Sequence, residues 1–130
     1  MSKKRPFYFF IICCSLACAS YAQDSEEELK SAIKLGSSKE LSVFFKDEVE
    51  ITIQDEKQIY KKEQAEAVMK KFFTQYPPID FQIIHKGTSK EGLKYIIGQY
   101  KYAKGIFQTV VFLKLRNASY TIHTLQFNED

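Results

Sequence analysis

Past Cys18 the chain has no cysteine: Cys13, Cys14 and Cys18 are its only three thiols, all near the start. A domain that begins beyond them has no disulfide, no thiolate metal site and no cysteine nucleophile. Arginine is also scarce, with only Arg5 and Arg116 in 130 residues. Only two histidines are present, His85 and His123, and no acidic pair stands at ligand spacing beside them. A stable metal site wants three or four protein ligands, so no metal is expected. Gly87 and Gly92 belong to a loop that no helix follows, so they are not a phosphate cradle. No cofactor is indicated. Internal repeats, low-complexity tracts and linkers are absent as well, which points to one domain.

The longest apolar run, from Phe7 to about Ala19, is too short to span a bilayer, which needs about 20 residues. It follows Lys3, Lys4 and Arg5 and precedes Ser20-Tyr21-Ala22. That order is the layout of a secretory signal peptide, with cleavage expected after Ala22. Residues 1–22 are read as the leader and 23–130 as the domain. An alternative is a lipoprotein acylated at Cys18, which would tether the domain to a membrane. Ala17 suits that reading, but Ser15 stands where a Leu is usual.

Charge follows the same division. The whole chain has 19 basic and 16 acidic residues. Without Lys3, Lys4 and Arg5, 16 basic residues face 16 acidic ones, and the domain is formally neutral. A nucleic-acid binder keeps a basic surplus, so no nucleic-acid partner is expected.

Ser25 to Glu28 reads as a capping box opening a helix with Leu29, Ala32 and Ile33 on one face and Gly36 at its end. Ser37 to Glu40 opens a second, short helix that buries Leu41, Phe44 and Phe45. Val49, Ile51 and Ile53 alternate as a strand, and Asp55-Glu56-Lys57 turns the chain. A long helix runs from about Lys61 to Tyr76, with Ala65, Val68, Met69, Phe72, Phe73 and Tyr76 at helical spacing. Glu66 and Lys70 pair on its wet face, and Pro77-Pro78 stop it. Four strands follow as a meander: Phe81–Lys86, Lys94–Tyr102, Ile106–Leu115 and Tyr120–Phe127.

The third meander strand is apolar on both faces, with Phe107, Val111, Leu113 and Leu115 on one and Ile106, Val110 and Phe112 on the other. Such a strand is either covered on both sides or meets another chain. In the last strand, Tyr120 and Ile122 have one parity and Leu125 and Phe127 the other. A β-bulge near His123 reconciles them. The order of elements predicts an α+β fold: a curved, cone-like antiparallel sheet with helices on its concave face.

That order resembles the nuclear transport factor two-like fold. The stretches GSSKELSVFFKDEVEITI, YKKEQAEAVMKKFFTQYPP and FQIIHKGTSKEGLKYIIG resemble a family of bacterial envelope proteins, domain of unknown function 4783, typical of Bacteroidota. The similarity runs from about Leu29 to Phe127. Lys61 departs from the Ser or Thr usual at the start of the long helix. The resemblance brings no catalytic motif, and the fold itself hosts enzymes, binding proteins and scaffolds alike.

The candidate binding residues are His85, Tyr95, Tyr100 and His123. A carboxylate in an apolar cone would serve as proton shuttle in an isomerase-like pocket. Asp80 lies five residues before His85, and an odd spacing on one strand puts the two on opposite faces. Asp55 is the other carboxylate weighed as a partner, for His123. Tyr95, Tyr100 and Tyr102 can line a pocket or cap a sheet face. Asn117-Ala118-Ser119 matches the glycosylation triplet, a short and common pattern. No catalytic residue is assigned. The expectation is a non-catalytic, exported interaction module, homodimeric through its outer sheet face, with an envelope protein or small ligand as other partners. The alternative is a small-molecule pocket protein or isomerase-like enzyme using His85 or His123.

Overall fold

In a computed structural model, which describes residues 25–117 and 119–130, two helices, two strands, a third helix and four more strands follow in chain order. Leader cleavage, acylation of Cys18 and the middle of the glycosylation triplet fall outside the described residues. Helix α1 spans residues 25–35, α2 Ser38–Ser42 and α3 Lys62–Gln75. The strands are β1 (Phe45–Ile53), β2 (Glu56–Lys61), β3 (Pro78–Thr88), β4 (Lys94–Tyr102), β5 (Gly105–Arg116) and β6 (Ser119–Glu129). They form one sheet in the order β2-β1-β6-β5-β4-β3. Every neighbouring pair is antiparallel except β1 and β6, which run parallel. The α+β expectation holds: helices pack on one curved sheet. Among the described residues no helix is long and apolar enough to cross a membrane.

Ser25, read as an N-cap, is already helical. Gly36 ends α1 as expected, at φ 67°, with its N–H on Ile33 O and the Ser37 N–H on Ala32 O. Glycine takes this left-handed conformation without the Cβ penalty. Helix α2 stops at Ser42, short of Phe44 and Phe45. Both rings are buried, but by entry into the sheet: Phe44 O accepts from the Ile122 N–H and Phe45 opens β1. Helix α3 starts on half a capping box. Gln64 Oε1 accepts from the Lys61 N–H at 3.2 Å, while the Lys61 side chain, a donor only, has no acceptor to complete it. Glu66, read as the partner of Lys70, instead accepts from Ser42 Oγ at 3.2 Å.

Strand β2 is absent from the sequence reading, which has only a turn at Asp55-Glu56-Lys57. Gln54 and Asp55 both take positive φ, 50° and 68°, and join β1 to β2 as a two-residue hairpin of the kind Asn-Gly usually signals. Strand β2 is an edge strand exposed along nearly its whole length, so it has no apolar alternation to read. The bulge near His123 is present. Leu113 pairs with Ile122 and Phe112 with Thr124, leaving His123 as the extra residue. Ile122 and Leu125 both face inward as a result.

The concave face and the helices share one core. Leu29, Ala32 and Ile33 of α1 and Ala65, Met69, Phe72 and Phe73 of α3 bury against Phe81, Ile96, Phe107, Val111, Leu113, Ile122, Leu125 and Phe127. Leu115, expected on the same apolar face as Leu113, lies beyond the helices and is 49 % exposed. Gly98 makes room for a core ring. A Cβ there would stand 2.6 Å from Phe81 Cζ and 2.9 Å from the Gln82 carbonyl oxygen. The ring can shift, but the backbone oxygen of a paired strand cannot. Gly98→Ala is expected to cost about 1–3 kcal/mol, read as a lower urea midpoint at unchanged slope.

Charge clamps α1 to the sheet. Glu26 Oε1 lies 2.7 Å from Lys86 Nζ of β3, and Oε2 lies 3.2 Å from Lys94 Nζ of β4. Lys94 Nζ also donates to Tyr120 Oη at 2.8 Å. Burial alone would raise the Glu26 carboxyl, but the hydrogen bonds and charges of Lys86 and Lys94 outweigh it and hold it below 4.5. A carboxyl with a depressed folded value contributes stability above its unfolded value and loses it as pH falls through the folded one. The clamp is therefore intact at neutral pH and weakens below about pH 4.5. In thermal melts across that range, Glu26→Gln is expected to lower Tm at pH 7 and to flatten its decline in acid.

Candidate functional site

The outer face of the sheet is organised in rows by strand register. Gln82, Gln99, Gln108 and Asn128 stand side by side across β3, β4, β5 and β6. The next row runs His85, Ile97, Val110, Gln126. The row after it runs Gly87, Tyr95, Phe112, Thr124. Tyr95, Ile97, Val110 and Phe112 thus form a contiguous apolar block on the two central meander strands, each half-buried. Amides border it on one side. The outer face of β5 is apolar as the sequence indicates, and among the described residues no helix covers it.

Tyr95 is laid flat by a missing side chain. A Cβ on Gly87 would fall 2.4 Å from Tyr95 Oη, so the ring occupies the space over the glycine across the strand pair. Its hydroxyl comes within 3.4 Å of His85 Nε2, with ring centroids 5.8 Å apart. Two of the four candidate residues, His85 and Tyr95, are therefore neighbours on the outer face.

The other two are elsewhere. Tyr100, one strand position inward, is fully buried. Its hydroxyl donates to the Tyr76 carbonyl, and burial pushes the phenol well above its usual value. It is a core residue rather than a pocket wall. Tyr102 also faces inward and donates to Glu129 Oε1 at 2.6 Å; that carboxylate, with burial second, raises its phenol to about 12. His123 sits on the bulge of β6, three strands across from His85 and three residues along from its row, about 17 Å away at normal strand spacing. Burial first, then the charges of Lys46, Lys114 and Arg116, hold its imidazole below 6.5.

Neither carboxylate partner is in place. Asp55 N–H donates to Asn128 Oδ1, which puts Asp55 five residues along β6 from His123, about 17 Å away. The parity argument separating Asp80 from His85 does not survive the register. Ile84 is an extra residue between Ile83↔Gly98 and His85↔Ile97, so the odd spacing brings the two positions to one side. Asp80 is nevertheless engaged by Lys34 of α1 at 3.6 Å. Among the described residues no three His, Cys, Asp or Glu side chains gather as a metal site.

The cone interior is filled by rings. Phe72 of α3 lies 4.4 Å from Phe127, 5.3 Å from Phe107, 5.4 Å from Tyr100 and 5.2 Å from Tyr76, centroid to centroid. At the open end a shallow cleft of about 380 Å³ remains between Ile53, Tyr60, Val68 and Tyr76, with Phe72 as its floor. Neither histidine lines it. Glu56 and Lys71 also line it, but both are exposed, whereas a group tuned for proton transfer is held where water is excluded.

Comparison with known proteins agrees with this geometry. The sequence matches the family described as Domain of unknown function (DUF4783) over residues 26–128. A DUF4783 family protein from Bacteroides ovatus is 30 % identical, with a TM-score of 0.73 over 79 % of this chain and 93 % of that one. One from Bacteroides uniformis is 28 % identical, with a TM-score of 0.73 over 80 % and 95 %. An NTF2-like protein of unknown function from Burkholderia xenovorans shares the fold, with a TM-score of 0.60 at 13 % identity over 86 % of each chain. No curated protein matches the sequence. The chain belongs to the DUF4783 family and has its NTF2-like fold.

Proposed function

We propose that the protein is an exported, non-catalytic interaction module of the cell envelope that pairs with a second copy through its outer sheet face. The observation that carries this reading is the block formed by Tyr95, Ile97, Val110 and Phe112. Aromatic and aliphatic side chains at the centre with amides at the border are the anatomy of a protein interface. An isologous pairing would close on itself and cover this block on both copies. Export rests on Lys3 to Ala22 and on the absence of thiols after Cys18. The lipid-anchored form through Cys18 is the same module with a tether. Against an enzyme stand the ring-filled cone and two histidines on its outside.

The cleft over Phe72 supports a second reading, a small-molecule ligand held at the cone mouth. Native mass spectrometry on protein taken from its host's envelope separates the two. A dimer of unlipidated chains starting at Gln23, with no added mass, is the expected result. A monomer carrying an extra small-molecule mass would replace the first reading by the second.

A further inference from the structure

We propose that the outer face also carries an oxyanion site at the β5–β6 end, built from Lys46, Lys114, Arg116 and His123, that takes a phosphate-type dianion. Four cationic or titratable groups from three adjacent strands reach one place there. On β5 the buried residues are Phe107, Val111 and Leu113, so Lys114 and Arg116 point to the outer side. They pair with Thr121 and Ser119 of β6. The bulge turns His123 to that side next to Thr124. Phe45 pairs with Ile122 and both are buried, which places Lys46 outward.

The sheet is also opened at this point. Between the pairs Phe45↔Ile122 and Glu50↔Thr124, β1 has four residues where β6 has only His123. The two strands part around the imidazole. Strand spacing puts Lys46 about 10 Å from β5 and Lys114 about 7 Å from Arg116, within joint reach of long side chains around one anion.

Among the described residues no carboxylate is paired with the cluster. The ion pairs among the described residues are Lys34–Asp80, Lys57–Glu50, Lys86–Glu26 and Lys94–Glu26. Asp47 and Glu48 flank Lys46 along β1 and are exposed, but neither is paired with any of the four. Burial first, and then these three cations, disfavour the imidazole as a cation. A bound anion reverses that. Three permanent charges and one titratable one suit a dianion; a carboxylate would neutralise only one. A phosphate monoester loses its second proton near pH 6 and is largely dianionic at neutral pH; orthophosphate, whose second proton leaves about one unit higher, reaches the dianion at mildly alkaline pH. Arg116 is the one arginine of residues 23–130, and a guanidinium fork matches a phosphate as a lysine does not. The cluster lies past the Tyr95–Phe112–Thr124 row, at the rim of the apolar block, so this inference does not depend on self-association.

Two histidines make the test direct, because imidazole proton resonances report each separately. Orthophosphate is titrated against sodium chloride of matched ionic strength. The expected result is a saturable shift of His123 and a rise in its titration midpoint, with His85 unmoved. Arg116→Gln and Lys114→Gln are expected to weaken the effect about tenfold each, and an unchanged His85 resonance certifies the fold of each variant. An equal shift in chloride, or a phosphate shift undiminished in Arg116→Gln, overturns the proposal. Sedimentation with vesicles of phosphatidylcholine and phosphatidic acid assigns the source. Co-sedimentation that Arg116→Gln abolishes identifies a lipid headgroup; its absence beside a retained phosphate effect identifies a soluble phosphate.

Discussion

Phe72→Ala is expected to destabilise the protein by about 3–5 kcal/mol, the largest loss any single core truncation here should produce. Phe72 sits where rings from three strands meet α3. From α3 it meets Phe107 of β5, Phe127 of β6 and Tyr100 of β4, and it packs on Phe73 and Tyr76 of its own helix. Its partners are fixed by sheet register and cannot collapse into the space it leaves. Transfer and cavity costs therefore add. Small domains are stable by about 5–15 kcal/mol, so the variant keeps a fraction of its folding free energy. Tm should fall by roughly 12 °C or more. A loss below about 1 kcal/mol would mean that the cone is already hollow, and it would revive the pocket reading.

Val110→Lys is expected to abolish self-association while leaving the monomer folded. Val110 lies in the middle of the apolar block, between Ile97 and Gln126, on a strand flanked by two others on each side or more. In a two-fold pairing each copy presents the same patch, so one substitution sets two ammonium groups into the centre of one interface. Like charges so placed cost several kcal/mol, which raises the dimer Kd about 100-fold or more. In the monomer the same side chain is half-exposed and a lysine stem lies along apolar surface with its head in water. Circular dichroism of the variant should match the parent, while its light-scattering mass halves. A parent-like dimer in Val110→Lys would move the interface off this face.

Much of this was legible in the residues because periodicity survives wherever one face is buried. The stripe from Ala65 to Tyr76 predicts α3, and the parity change between Ile122 and Leu125 predicts the bulge at His123. Both depend on local pattern alone. Strand β2 was not legible because an exposed edge strand has no buried face to write a pattern. The side of β3 on which His85 lies was not legible because the Ile84 bulge leaves no apolar pair of mismatched parity in its wake. Tyr100 read as a pocket candidate because a tyrosine in a strand looks the same whether its hydroxyl meets a ligand or, as here, the Tyr76 carbonyl. The Glu26 clamp joins residues 60 and 68 positions apart, a distance no local motif spans. Of the candidate site, the two-faced character of β5 was readable, but the rows that make Tyr95, Ile97, Val110 and Phe112 one block follow from register.

Sedimentation equilibrium of the purified domain at high micromolar concentration tests the central claim most directly. A mass of two chains, reverting to one in Val110→Lys, is the predicted result. A strictly monomeric parent at that concentration would contradict it and leave the outer face without the role assigned to it.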